Sequence, residues 1–272
     1  MMAKSDALTE ICAMLDTYGG RDKVMKALCY AAKLISGLYV SSNADTSKKF
    51  AIFSSKISGA RATLRLIDDI PMLKYTLEYG WGQKEPDRAM SVLGVIANFV
   101  DHLYYPIEKI CWLIEHKLLN VTNPTKWDTL SSVFWVSSIY LNLMRTMRMV
   151  ALIEHHKQCV SSQKSDSSAA MEKLINNQRM EVISVIRLSL DLIQAGSTLP
   201  KGYLWGGKLE TWHVGLIGLC IILGFFELFR CLRNFVYSIS KVPYQLSSGY
   251  INILRRRKWQ SKHSSLYDQK VP

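Results

Sequence analysis

No two of the six cysteines form a CxxC pair; Cys12, Cys29, Cys111, Cys159, Cys220 and Cys231 are scattered along 272 residues. Metal-ligand spacing is absent, and so is the disulfide framework of a small secreted domain. Such thiols are reduced fillers of apolar gaps. The opening MMAKSDALTEICAML has early acids and no long apolar stretch, so it reads as neither a secretory signal nor an Arg-rich transit peptide. The ending Lys270-Val271-Pro272 is not a peroxisomal matrix tripeptide. Strand-like alternation is rare, which argues against a sheet and for an all-α chain.

Catalytic constellations are missing too. Gly19-Gly20-Arg21-Asp22-Lys23 lacks the spacing of a phosphate loop and follows an amphipathic helix, not a strand. The histidines of Glu154-His155-His156 are adjacent, so a helix points them apart. Asp68-Asp69 diverge in the same way, and Arg65, four residues before Asp69, predicts a helix-surface ion pair. We expect no enzyme, with no catalytic, cofactor or metal residues. The sequon Asn120-Val121-Thr122 is discounted because nothing suggests a secretory route.

What the chain does have is apolar bulk, 49% of residues, and a net charge of +12. The charge is uneven. The last 43 residues hold nine Lys/Arg against one acid, +8 of the total, and include Arg255, Arg256, Arg257 and Lys258. No nucleic-acid-binding element accompanies this tail, so we expect no nucleic acid. A basic run beyond an apolar segment reads as the cytosolic flank of a membrane helix.

The helical pattern divides as follows. A short helix over 6–18 stops at Gly19-Gly20, and Asp22 caps a second over about 23–40. A third runs over 46–79, which Pro71 should kink or split. A fourth covers 87–119, with Pro106 inside. Leu130 to Met144 is uncharged for 15 residues and is followed by Arg145 and Arg148. It crosses a bilayer only if those arginines snorkel to the interface. A polar linker, Ser161 to Ala170, precedes a helix over about 169–195. Thr211 to Phe229 is long enough to span, and its Gly215, Gly218 and Gly224 suit close membrane-helix packing.

Two segments are amphipathic. On a wheel, Val24, Leu28 and Ile35 lie on an apolar half, with Lys26, Lys33, Cys29, Tyr30 and Ser36 opposite. In the third helix, Ile52, Leu66, Ile70, Leu73 and Leu77 form the stripe, with Arg61 and Arg65 opposite. Such helices lie on an anionic bilayer or pack in a bundle.

Several stretches carry a resemblance. They are YGGRDKVMKALCYAAKLISG, SGARATLRLIDDIPMLKYTLEYGWG (Ser58 to Gly82), VLGVIANFVDHLYYPIEKICWL, KWDTLSSVFW and LPKGYLWGGKLETWHVGLIGL. In this order the chain resembles the peroxin-eleven family of peroxisomal membrane proteins, most closely its gamma (C-type) branch. The resemblance implies a remodelling protein that inserts amphipathic helices, elongates peroxisomes, promotes their fission and self-associates. Its implied partners are membrane lipids, other family members, a fission adaptor, a dynamin-related GTPase and the peroxin-nineteen import receptor. The implied tubulating helix is Ser54 to Tyr79, with Arg61 and Arg65 at its basic positions. Alternatives are a solute channel lined by Arg145, Arg148 and Glu227, or an adaptor that does not itself bend the membrane.

The resulting expectation is an all-α membrane protein with N-terminal amphipathic helices and two membrane-embedded helices in its C-terminal half. Residues 1–129 form a cytosolic amphipathic region, 130–150 a first membrane segment and 151–210 a lumenal linker and helix. Residues 211–229 form a second membrane segment and 230–272 a basic cytosolic tail. Multi-pass insertion would place both termini in the cytosol.

Overall fold

The computed structural model describes residues 12–162 and 168–222, all within one contact unit, Met1–Phe226. Among these residues there is no strand; the protein is all-α. After a helical stretch at 12–15 come α1 (Tyr18–Leu38), α2 (Ala44–Leu64), α3 (Asp69–Tyr79), α4 (Arg88–Glu115), α5 (Pro124–Ser162) and α6 (Ser168–Gly196). A last helix, α7 (211–222), runs to the edge of the described residues.

Local chemistry sets most of the starts. Thr17 caps α1 by accepting from the Gly20 amide at 3.0 Å. Asn43 caps α2 through Thr46, and Asp87 caps α4 through Met90, at 3.0 and 2.8 Å. Pro124 opens α5, where its missing N–H costs nothing. Gly80, at φ 56°, ends α3 in the left-handed region that glycine tolerates. Pro106 sits inside α4, which continues through it.

Three expectations are corrected here. The break before α1 falls at Asp16–Thr17, so Gly19 and Gly20 lie in the first turn of the helix. Thr17, not Asp22, is the cap. The third helix is split, as Pro71 suggests, but the division is a 3-10 turn at Arg65–Ile67, upstream of the proline. Pro71 cannot donate to the Ile67 carbonyl, so the α ladder yields one turn earlier and Pro71 is accommodated in the first turn of α3.

Packing joins α1 to α2, α4 to α5 and α5 to α6, with α3 lying more lightly on α4. Ile139, Leu143, Leu188 and Ala195 form the core where α5 meets α6, flanked by Trp135, Val136, Val185 and Leu192. No helix among the described residues is long and apolar enough to cross a membrane. The expected crossing at 130–150 is the middle of the 39-residue α5, part of which packs into this core. The multi-pass topology is therefore not supported. The segment Thr211–Phe229 reaches past the described residues, as do Gly224, Glu227 and the basic tail.

Candidate functional site

The first unusual feature is which face of α1 packs. Cys29, Tyr30, Ala32 and Ser36 are buried, while Leu28, on the apolar half of the wheel, is 47% exposed. Val24 and Ile35 are only partly buried. Most of its deeply buried positions lie on the small and polar side, whereas an ordinary water-soluble helix buries its apolar one.

Small residues explain the inversion, because they let backbones approach. The Ser54 hydroxyl donates to the Cys29 carbonyl at 3.0 Å. The Ser36 hydroxyl donates to the Ser47 carbonyl and the Ser47 hydroxyl to the Ser36 carbonyl, at 2.9 and 2.8 Å. On the other flank, α7 sits so close that a Cβ on Gly215 would strike the Leu34 backbone. One on Gly218 would strike the Tyr30 ring, and one on Gly37 would strike Trp212. Gly215 and Gly218 thus lie at close contacts with α1. Close contact through glycine and hydroxyl residues is how helices associate in a lipid solvent.

Lys26 also faces inward, 3.7 Å from Asp191 on α6. Burial lowers its pKa, and Asp191 opposes that shift. Gln194 on α6 donates to the Tyr30 hydroxyl. Lys33 borders a cavity of about 320 Å³ together with Ser55, Ser58 and Glu115.

The second feature is the segment around the 3-10 turn. Ile52 is 61% exposed, Ile70 68%, Leu73 51% and Leu77 75%, while Leu66 is half-buried. Leu64, Ile67 and Trp81 add further outward apolar surface. Two cations of this segment, Arg61 and Arg65, are turned inward, whereas Lys74 is exposed. Arg61 makes a two-pronged contact with Asp22 of α1, at 2.7 and 3.3 Å. Arg65 reaches Glu108 of α4 at 2.7 Å, and Lys109 of α4 reaches Asp69 at 2.6 Å. The expected Arg65–Asp69 pair does not form, because the 3-10 turn rotates the two residues out of α register and each takes a partner on α4. Burial pushes the Asp68 carboxyl up despite nearby Arg65.

Arg145 and Arg148 do not stand alone on α5. Arg145 pairs with Glu85 and lies over the Tyr79 ring, 5.2 Å from its centroid. Arg148 pairs with Asp87 at 2.7 Å. Both therefore tie α5 to the α3–α4 loop. Among the described residues no cluster of His, Cys, Asp and Glu is arranged to hold a metal.

Sequence reasoning missed the acids Glu108 and Asp191 and read Asp22 only as a cap. Asp22 lies 39 residues from Arg61, and Glu108 lies 43 from Arg65. No helical spacing signals partners that distant.

Residues 8–222 match the model of the Peroxisomal biogenesis factor 11 (PEX11) family. The chain belongs to the PEX11 family. It is 30% identical over 220 residues to the human "Peroxisomal membrane protein 11C", covering 78% of this chain and 90% of that protein. The mouse protein of the same description is 29% identical over 216 residues, covering 78% and 89%. These likenesses place the chain on the gamma (C-type) side of the family. No solved structure matches it. Family membership supports a role in peroxisome biogenesis and proliferation, and PEX11 is a family of biogenesis factors, not of enzymes.

Proposed function

We propose that this PEX11 protein remodels the peroxisomal membrane by laying apolar helix faces into one leaflet. The observation that carries this reading is the outward apolar row of α3, Ile70, Leu73 and Leu77. A second support is the inverted packing of α1, which spends small polar residues inside and leaves apolar ones outside. Water penalises that arrangement and lipid does not.

The mechanism is a wedge. Side chains that enter one leaflet expand it relative to the other and favour positive curvature, and neighbouring copies add their wedges. Elongation of the organelle before fission follows from that curvature. Other family members, a fission adaptor with its dynamin-related GTPase, and the peroxin-nineteen receptor are the partners this reading assigns.

The test uses the full chain and vesicles. Removing a buried Leu or Ile side chain from lipid forfeits roughly 1.5–3 kcal/mol. Each 1.4 kcal/mol is about tenfold in affinity. Replacing Ile70, Leu73 and Leu77 with Ser should therefore weaken vesicle binding at least about tenfold and abolish tubulation seen by electron microscopy. Unchanged binding and unchanged vesicle shape would remove α3 as the wedge.

A further inference from the structure

We propose that Asp22 and Glu108 are internal stand-ins for lipid phosphate, holding Arg61 and Arg65 closed until an anionic membrane displaces them. This deepens the membrane-insertion reading and rests on it.

The geometry is specific. Arg61 and Arg65 are one helical turn apart, at the end of α2 and the start of the 3-10 turn. Each is met by a carboxylate from a different helix, Asp22 of α1 and Glu108 of α4. The Arg61 side chain is only 11% exposed, and its contact with Asp22 is two-pronged. Guanidinium recognises carboxylate and phosphate with the same planar fork, so one can replace the other. Beside the Arg65–Glu108 pair lies a cavity of about 150 Å³, bounded also by Lys109, Tyr105 and Trp112. A phosphate reaching Arg65 through it meets a second cation, Lys109.

Charge and position complete the argument. Asp22 and Glu108 both lie near enough to Asp68 to help push its carboxyl up. Three acids around two arginines leave the closed cluster without net positive charge, and it does not attract anions at a distance. Leu64, Ile67 and Ile70 are exposed on the same stretch of chain. Apolar insertion at these residues brings headgroup phosphates to the cluster, where their local concentration competes with Asp22 and Glu108. Arg61 and Arg65 then contribute to binding only on an anionic bilayer. The device makes insertion selective for lipid charge although the free protein holds these two arginines paired.

The test is flotation of the full chain with vesicles of phosphatidylcholine, with and without phosphatidic acid. Removing the stand-ins with Asp22→Asn and Glu108→Gln should tighten binding to the anionic vesicles by about fivefold or more, since a basic residue near such a surface contributes that much. Binding to neutral vesicles should not change. Adding Arg61→Gln and Arg65→Gln should abolish the gain. A charge-matched control, Asp45→Asn with Glu172→Gln, should give a smaller gain; an equal gain would mean net charge alone acts and would overturn the proposal. Inorganic phosphate at constant ionic strength should not displace the protein, and displacement would overturn a lipid source for the ligand. If the double variant melts early, Glu108→Gln alone carries the comparison, and no gain from a folded Glu108→Gln refutes the clasp at Arg65. Should the Ile70, Leu73 and Leu77 variant bind neutral vesicles normally, the insertion reading fails, separately from the clasp.

Discussion

At the scale of single residues, two glycines report on the packing. Gly218 lies against the Tyr30 ring with no room for a Cβ. Gly218→Val should destabilise the fold by about 1–3 kcal/mol, as overpacking does, read as a lower midpoint in chemical denaturation. Gly59 meets nothing within 4 Å of a Cβ, so Gly59→Ala should be neutral or stabilise α2 by up to about 1 kcal/mol. The Ser138 hydroxyl donates to Asp101 across the α4–α5 seam at 2.5 Å. Burial raises the Asp101 pKa, and Ser138 and His102 offset this in part. A raised folded pKa means that its stabilising contribution is complete below the unfolded value of about 3.9 and is lost as pH rises through the folded value. Wild-type stability should therefore fall relative to Asp101→Asn as pH rises from about 4 to 7, measured by denaturation at each pH.

At the scale of elements, the start of α2 and the limits of α4 and α6 follow closely from caps and breakers in the sequence. Thr17, Asn43 and Asp87 act within three residues of their partners, so this information is local. The inward face of α1 was not legible in the same way. Periodicity ranks faces by hydropathy, and hydropathy predicts burial only when the surroundings are water. Here Cys29, Ser36 and Gly37 win the interface because they are small. The exposure of α3 leads to a prediction for that element. The Ser substitutions at Ile70, Leu73 and Leu77 that weaken vesicle binding should change thermal stability in solution by no more than about 0.5 kcal/mol, because these side chains pack little. A large loss of stability would instead make them part of the folded core.

At the scale of the whole molecule, an early helix and a late one are tied together. Asp191 on α6 holds Lys26 on α1 and, at 3.2 Å, Arg187 on its own helix. Asp191→Asn leaves two partly buried cations facing each other. Removing one partner of a fully buried pair costs about 3–5 kcal/mol, and the remaining exposure reduces this to about 2 kcal/mol. The loss should appear in amides of both α1 and α6 by hydrogen exchange, because one contact joins them. The sequence by itself determined the all-α class, the limits of α4 and α6, the apolar stripe of α3 and, through its motifs, the PEX11 family. These depend on neighbours within a few residues or on the linear order of motifs. Only the tertiary structure decided that Arg61 and Arg65 are matched by Asp22 and Glu108, that Arg145 and Arg148 hold the α3–α4 loop, and that α1 packs on its small face. Those choices are made by residues 39 to 61 positions apart and by steric fit between helices, neither of which leaves a periodic trace along the chain.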